Sequence, residues 1–156
     1  MLDEDMQRVI DEQRLGFVAT VCPDGTPNLS PKGTTAVWDA DTLVFAHLHS
    51  HATVANIEAG NTAVEVNVVD PLRRVGYRFK GIGQVHRAGP EYEAGVRFYE
   101  ERSGLVPARV SAIVLIRVEA AAPVVSPAYD DGTTESVIEQ RSLDRLHLRR
   151  TDDTGG

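Results

Sequence analysis

Asn28, Ser30, Lys32 and Thr34 recur at every second position between a turn and Trp38. On an extended chain this spacing puts an amide, two hydroxyls and an ammonium on one side at steps of about 7 Å, a donor set suited to an anion. Leu29 and Val37 fall on the other side. Only two of the 16 basic residues are lysines, Lys32 and Lys80, and each precedes a glycine, Gly33 or Gly81. Ser50 is placed to cap a following helix. A second set, Arg74, Arg78 and Lys80, shares one face of a later strand; it either reaches a ligand or forms a solvated face.

His47, His49 and His51 also stand two apart, which on a continuous strand would aim three imidazoles one way and hold a metal. A helix starting after Ser50 takes His51 out of that register, and no fourth ligand or carboxylate is evident, so no metal site is expected. Cys22 is the only cysteine and reads as a small half-buried residue with no catalytic role. No acid–base pair for catalysis stands out.

The elements that must position these groups follow from periodicity. Asp3 to Arg14 predicts a helix with acidic residues in its first turn. Leu15 to Cys22 predicts a strand with Leu15, Phe17, Ala19 and Val21 on one face, turning at Pro23-Asp24-Gly25 into the Ser30–Lys32 strand. Thr34 to Trp38 and Thr42 to His47 form a second hairpin around Asp39-Ala40-Asp41. A helix over His51 to Ala59 closes at Gly60. Ala63 to Val69 and Arg74 to His86 are strands, the latter interrupted by Gly76, Gly81 and Gly83 as at bulges. Pro90 to Ser103 is a helix with Pro at its first position. Ser111 to Ala120 is the most apolar strand, Pro123 to Ser126 extends the sheet, and Glu135 to Leu148 is helical. Six or seven strands joined mostly by hairpins predict a mainly β, α+β architecture: an antiparallel sheet closed into a barrel with peripheral helices. A doubly wound parallel sheet does not fit, because the Gly81-x-Gly83 pair opens no helix.

The 156 residues suit one domain over 1–148, with 149–156 a flexible tail. The net charge of −7 argues against nucleic acid as the main partner. No apolar run is long enough to span a membrane, and the acidic N-terminus is unlike a signal peptide, so a cytoplasmic protein is expected.

In order and spacing, the Leu15–Cys22 strand, the Pro23-Asp24-Gly25 turn, Ser30-Pro31-Lys32-Gly33, FAHLHSHATVANI from Phe45 to Ile57, Val64 to Pro71, YRFKG from Tyr77 to Gly81 and Ser126-Pro127-Ala128-Tyr129-Asp130 together resemble the pyridoxamine 5′-phosphate oxidase-like family of FMN-binding split barrels. The resemblance runs from about residue 5 to 148. It implies a homodimer holding FMN in two grooves between subunits, the phosphate lying near Ser30, Lys32 and the start of the Ser50 helix. Ser30, Lys32, Gly33, Thr34, His49, Ser50, His51, Thr53, Arg78 and Lys80 are the expected cofactor-binding residues.

Two departures bear on the cofactor. The family reads Ser-x-Lys-Thr at the helix start, whereas this chain has Ser50-His51-Ala52-Thr53, and His49 replaces a usual Arg. The C-terminal arm that grips substrate in the oxidase itself is replaced by LHLRRTDDTGG, which leaves the substrate open. The Lys-poor, Ala-, Val- and Arg-rich composition suggests a GC-rich bacterial genome, where related split barrels use the deazaflavin F420. The expected function is a flavin-dependent oxidoreductase with a small-molecule substrate or nicotinamide reductant. The alternatives are an F420-dependent reductase and a non-catalytic flavin- or heme-binding protein on the same fold.

Overall fold

The computed structural model describes residues 1–49 and 51–149. Helix α1 (Glu4–Gln13) starts at Asp3, whose carboxylate accepts the Met6 N–H at 2.8 Å, and ends at Arg14 in the left-handed region. The first hairpin joins β1 (Gly16–Val21) to β2 (Pro27–Lys32). In its turn Gly25 takes a φ of 84°, which a side chain would oppose, and Asp24 accepts from the N–H and hydroxyl of Thr26. Strands β3 (Ala36–Val37) and β4 (Thr42–His47) form the second hairpin. Then come α2 (His51–Glu58), β5 (Ala63–Asp70), β6 (Val75–His86), α3 (Pro90–Ser103), β7 (Ala112–Val125) and α4 (Glu135–Leu146).

All seven strands pair antiparallel in the order β2-β1-β5-β6-β7-β4-β3. The long β6 and β7 run together for most of their length, and their register slips between Lys80 and Gly81. A Cβ on Gly81 would stand 2.2 Å from the Arg117 carbonyl oxygen, so the bulge needs glycine there. Such a bulge bends the ladder and lets the sheet curl. The result is the split-barrel form, with β2 and β3 at the two free edges.

Residues paired across a ladder point the same way, and Ser30, Val18, Val66 and Phe79 are paired in succession. Val18, Val66 and Phe79 are completely buried, which makes this the inner face. It packs with Leu43 and Phe45 of β4, Val9 and Ile10 of α1, and Val54 and Ile57 of α2. A second apolar layer lies outside β4 and β7, where Val44, Ala46 and Ile113 meet Tyr99 of α3.

This geometry settles one face and revises one expectation. Leu15, Phe17 and Val21 share a side, and it is the outer one, 41%, 41% and 46% exposed; Val18 and Thr20 take the interior. Alternation distinguishes two faces without saying which is inside, and Thr20 is admitted because Asn28 and Asn56 satisfy its hydroxyl. The polar strip on β2 ends sooner than expected. After Lys32 the chain turns, Thr35 donating to the Lys32 carbonyl from both N–H and hydroxyl, so Thr34 leaves the strand register.

Candidate functional site

Asn28, Ser30 and Lys32 point inward along β2, an edge strand, toward the first turn of α2. The Asn28 amide bridges the two elements, reaching the Thr20 hydroxyl at 3.1 Å and the Thr53 hydroxyl at 3.3 Å. From the next turn of α2, Asn56 reaches Thr20 at 2.9 Å and the Cys22 sulfur at 3.5 Å. Thr53 and Asn56 are buried, so this amide–hydroxyl lattice fixes where α2 begins relative to β2. At its far end α2 is tied to the segment after β6 by the ion pair of Glu58 with Arg87, 2.6 Å.

Lys32 is only 5% exposed. Its ammonium donates to the Ser30 hydroxyl at 2.9 Å and lies over the Phe45 ring, 5.4 Å from the centroid. No carboxylate of the described residues forms an ion pair with it. Burial therefore lowers its pKa to about 8, because taking an unpaired ammonium out of water favours the neutral amine. An ammonium with two further N–H donors and no counter-charge among the described residues is electrostatically incomplete, and an anion would complete it.

His47 ends β4 on the same inner side as Phe45 and is 3% exposed. Its Nδ1 has no hydrogen-bond partner among the described residues. Its ring meets that of His51, the first residue of α2, edge-on at 5.8 Å between centroids. Its pKa is held below the ordinary histidine value, first by burial and then by the charges of Lys32, Arg87 and His51.

The expected site residues thus divide. Ser30 and Lys32 bond each other on the inner side of β2, Thr53 meets Asn28 of the same strand, and His51, itself exposed, meets the buried His47. His49 is exposed, and Gly33 is an exposed turn residue. The Thr34 hydroxyl is committed to β4, accepting the Ala46 N–H at 3.0 Å and donating to the Ala46 carbonyl at 3.2 Å. Ser50 lies outside the described residues. Arg78 and Lys80 stand on the opposite, outer face, paired with Glu65 at 3.0 and 3.8 Å. No group of three or more metal-ligating side chains gathers among the described residues. Asn56 and His47 are the additions; period-two alternation from Phe45 to His47 was the available signal for the latter.

The sequence model of the pyridoxamine 5′-phosphate oxidase family matches residues 2–123, most of the chain and all of the elements just described from α1 to the greater part of β7. The chain belongs to the pyridoxamine 5′-phosphate oxidase family. Among solved structures, HupZ of Group A Streptococcus is similar at 33% identity and a TM-score of 0.71, over 81% of this chain and 96% of that one. A protein named F420 reductase is 25% identical with a TM-score of 0.59, over 77% of this chain and 98% of that one. An FMN-binding protein from Syntrophomonas wolfei shares the fold at 14% identity and a TM-score of 0.66, over 80% and 87% of the two chains. Among curated proteins none matches. Within the described residues of this family member, no helix is long and apolar enough to cross a membrane.

Proposed function

We propose that this member of the pyridoxamine 5′-phosphate oxidase family binds a flavin-type cofactor by its phosphate at the junction of β2 and α2, and works as a flavin-dependent oxidoreductase. The observation that carries this reading is Lys32, a buried ammonium that pairs with no carboxylate of the described residues, on the same inner strip as Ser30 and as Asn28, whose amide reaches Thr53 in the first turn of α2. The donor set fits a phosphate: one ammonium, a hydroxyl, and first-turn N–H groups that have no acceptor within their own helix. When bound, the isoalloxazine would supply the hydride chemistry, while the chain supplies binding, orientation and electrostatics. The residues of this chain then have no need of a nucleophile or triad.

FMN is the first reading, held between the two subunits of a homodimer. The exposed apolar side chains of the outer face, Phe17, Val21 and Leu29 at 41%, 46% and 64%, support a covering second copy. F420 is the second reading, favoured by Ala52 at the first turn of α2, where an additional cation for the FMN phosphate is wanting, and by the similarity to a protein named F420 reductase. The purified protein titrated with FMN and with F420, followed by absorption and fluorescence, tests both. Saturable binding of one, reduced in Lys32→Met, is expected; failure of both to bind would remove the cofactor reading. Reduction of the bound cofactor by a nicotinamide nucleotide separates an enzyme from a non-catalytic binding protein.

A further inference from the structure

Four buried side-chain polar atoms lack a hydrogen-bond partner among the described residues, on His47, Arg73, His86 and Ser142, and of these His47 lies next to the start of α2. A neutral imidazole has one donor and one acceptor nitrogen, and leaving a buried polar atom without a partner is costly enough that native structures rarely do so. Yet Nδ1 of His47 is buried and without a partner among the described residues, on a residue 3% exposed. The ring lies edge-on to His51 at the start of α2 and on the Phe45 side of the sheet, over which Lys32 extends. The orphan atom is therefore found beside the same helix start and the same ammonium that compose the anion site.

The charged groups around His47 come from each neighbouring element: Lys32 from β2, His51 and Glu58 from α2, and Arg87 from the segment after β6. Three of these four oppose a positive charge on the ring, and Glu58, which favours one, is engaged by Arg87 at 2.6 Å. Without an anion the ring is thus kept neutral. A phosphate at the start of α2 reverses that balance, because a dianion favours the charged imidazole and the single ammonium of Lys32 does not neutralise it.

We propose that His47 is the proton-carrying donor of this site: it takes a proton from solvent as a phosphate-bearing ligand settles against Lys32 and the start of α2, and gives that ligand a second cationic hydrogen bond. The proton returns to solvent when the ligand leaves, so binding and proton uptake are one coupled event. His47 acts as a positioning and affinity residue for the anion, with no part in hydride transfer. The inference rests on the anion-site reading above, though not on the identity of the flavin.

The test follows the His47 ring itself by nitrogen-15 NMR between pH 5 and 9, in the full chain alone, with FMN, and with inorganic phosphate, His47→Gln serving to assign the signal. The free ring should titrate below the ordinary value of about 6.5 and move upward on saturation. Calorimetry at pH 7 in buffers of different ionisation enthalpy should record proton uptake on binding. His47→Gln should abolish that uptake and weaken binding about tenfold at pH 6 with little change at pH 8.5, where His47 is neutral in any case. If FMN binds and the His47 titration does not move, this inference fails while the cofactor reading survives. If FMN does not bind but inorganic phosphate moves the ring, the inference holds and the flavin reading fails. If neither ligand moves it, the inference is overturned.

Discussion

Lys32 holds its ammonium 5.4 Å from the centroid of Phe45, so a buried positive charge rests on an aromatic face instead of on a carboxylate. A cation–π contact contributes on the order of 0.5–2 kcal/mol, whereas desolvating the ion costs several. The ligand-free protein therefore carries an uncompensated cost at this residue, and an arriving anion relieves it. This ties the stability of the fold and the affinity of the site to one side chain, with opposite signs.

Replacing Lys32 by Met keeps the length and the packing on Phe45 while removing the charge. The ligand-free variant should be at least as stable as the wild type, in contrast to the usual loss of 0.5–3 kcal/mol for a buried substitution. FMN affinity should fall by about 1.5–3 kcal/mol, roughly tenfold to a hundredfold. Thermal melts and a fluorescence titration read the two effects. A variant that melts lower and binds FMN normally would make Lys32 a structural residue.

The pH dependence follows from the same burial. With the folded pKa lowered to about 8 from an ordinary 10.5, the unfolded chain holds more protons than the folded one between those values. Stability without ligand should therefore rise with pH across pH 8 to 10.5, by up to about 3 kcal/mol for this group, and the same rise should be missing in Lys32→Met. If the ammonium holds the phosphate as proposed, affinity for phosphate or FMN should decline as pH climbs past 8. Urea melts of both proteins from pH 7 to 10 measure the first effect.

Asn56 spans from α2 to Thr20 and Cys22, and through Thr20 shares partners with Asn28. Asn56→Ala should cost about 1–3 kcal/mol, the range for breaking a buried hydrogen-bonded pair. Because the lattice also fixes the start of α2, hydrogen exchange should quicken in α2 before the sheet is affected, and FMN affinity should drop in parallel. Equal protection of α2 in variant and wild type would show that apolar packing by Val54 and Ile57 suffices to hold the helix.

Most of the fold was legible from alternation and turn chemistry. The Ala63–Val69 strand, the helix beginning at Pro90 and the bulge among the strand glycines all stand where period and turn residues put them. Local pattern could not decide which side of β1 is inside, since both its faces carry apolar residues and the choice depends on Asn28 and Asn56, the latter distant in sequence, meeting Thr20. Nor could it separate Ser30 and Lys32 from Arg78 and Lys80. Each pair alternates correctly on its own strand, and only the ladder from β2 through β1 and β5 to β6 reveals that they lie on opposite faces. His47 was visible as one of three alternating histidines, but its burial and its unpartnered nitrogen are tertiary facts.

The outer face of the first hairpin offers a test of assembly. Leu29, 64% exposed, lies opposite Ala19 in the ladder and beside Phe17 and Val21 on the outer face. If a second copy covers this face, Leu29→Glu buries an unpaired charge in the interface and should yield a folded monomer by sedimentation, with FMN binding lost. If wild type and variant sediment alike, the apolar outer face is not the dimer contact.

Ala52 distinguishes the two cofactor readings. It is exposed in the first turn of α2, so a lysine fits there without displacing the Thr53–Asn28 contact beneath it. If FMN phosphate docks at this turn, Ala52→Lys adds a cation that stays charged across neutral pH, and FMN affinity should rise about tenfold or more. The dependence on pH between 6 and 7.5 should flatten as well, because a permanent charge takes over part of what a histidine supplies only when protonated. An anion bound elsewhere would not sense the substitution. Should Ala52→Lys leave FMN affinity unchanged or lower it, while F420 binds the wild type tightly, the β2–α2 junction serves a deazaflavin and the FMN assignment falls.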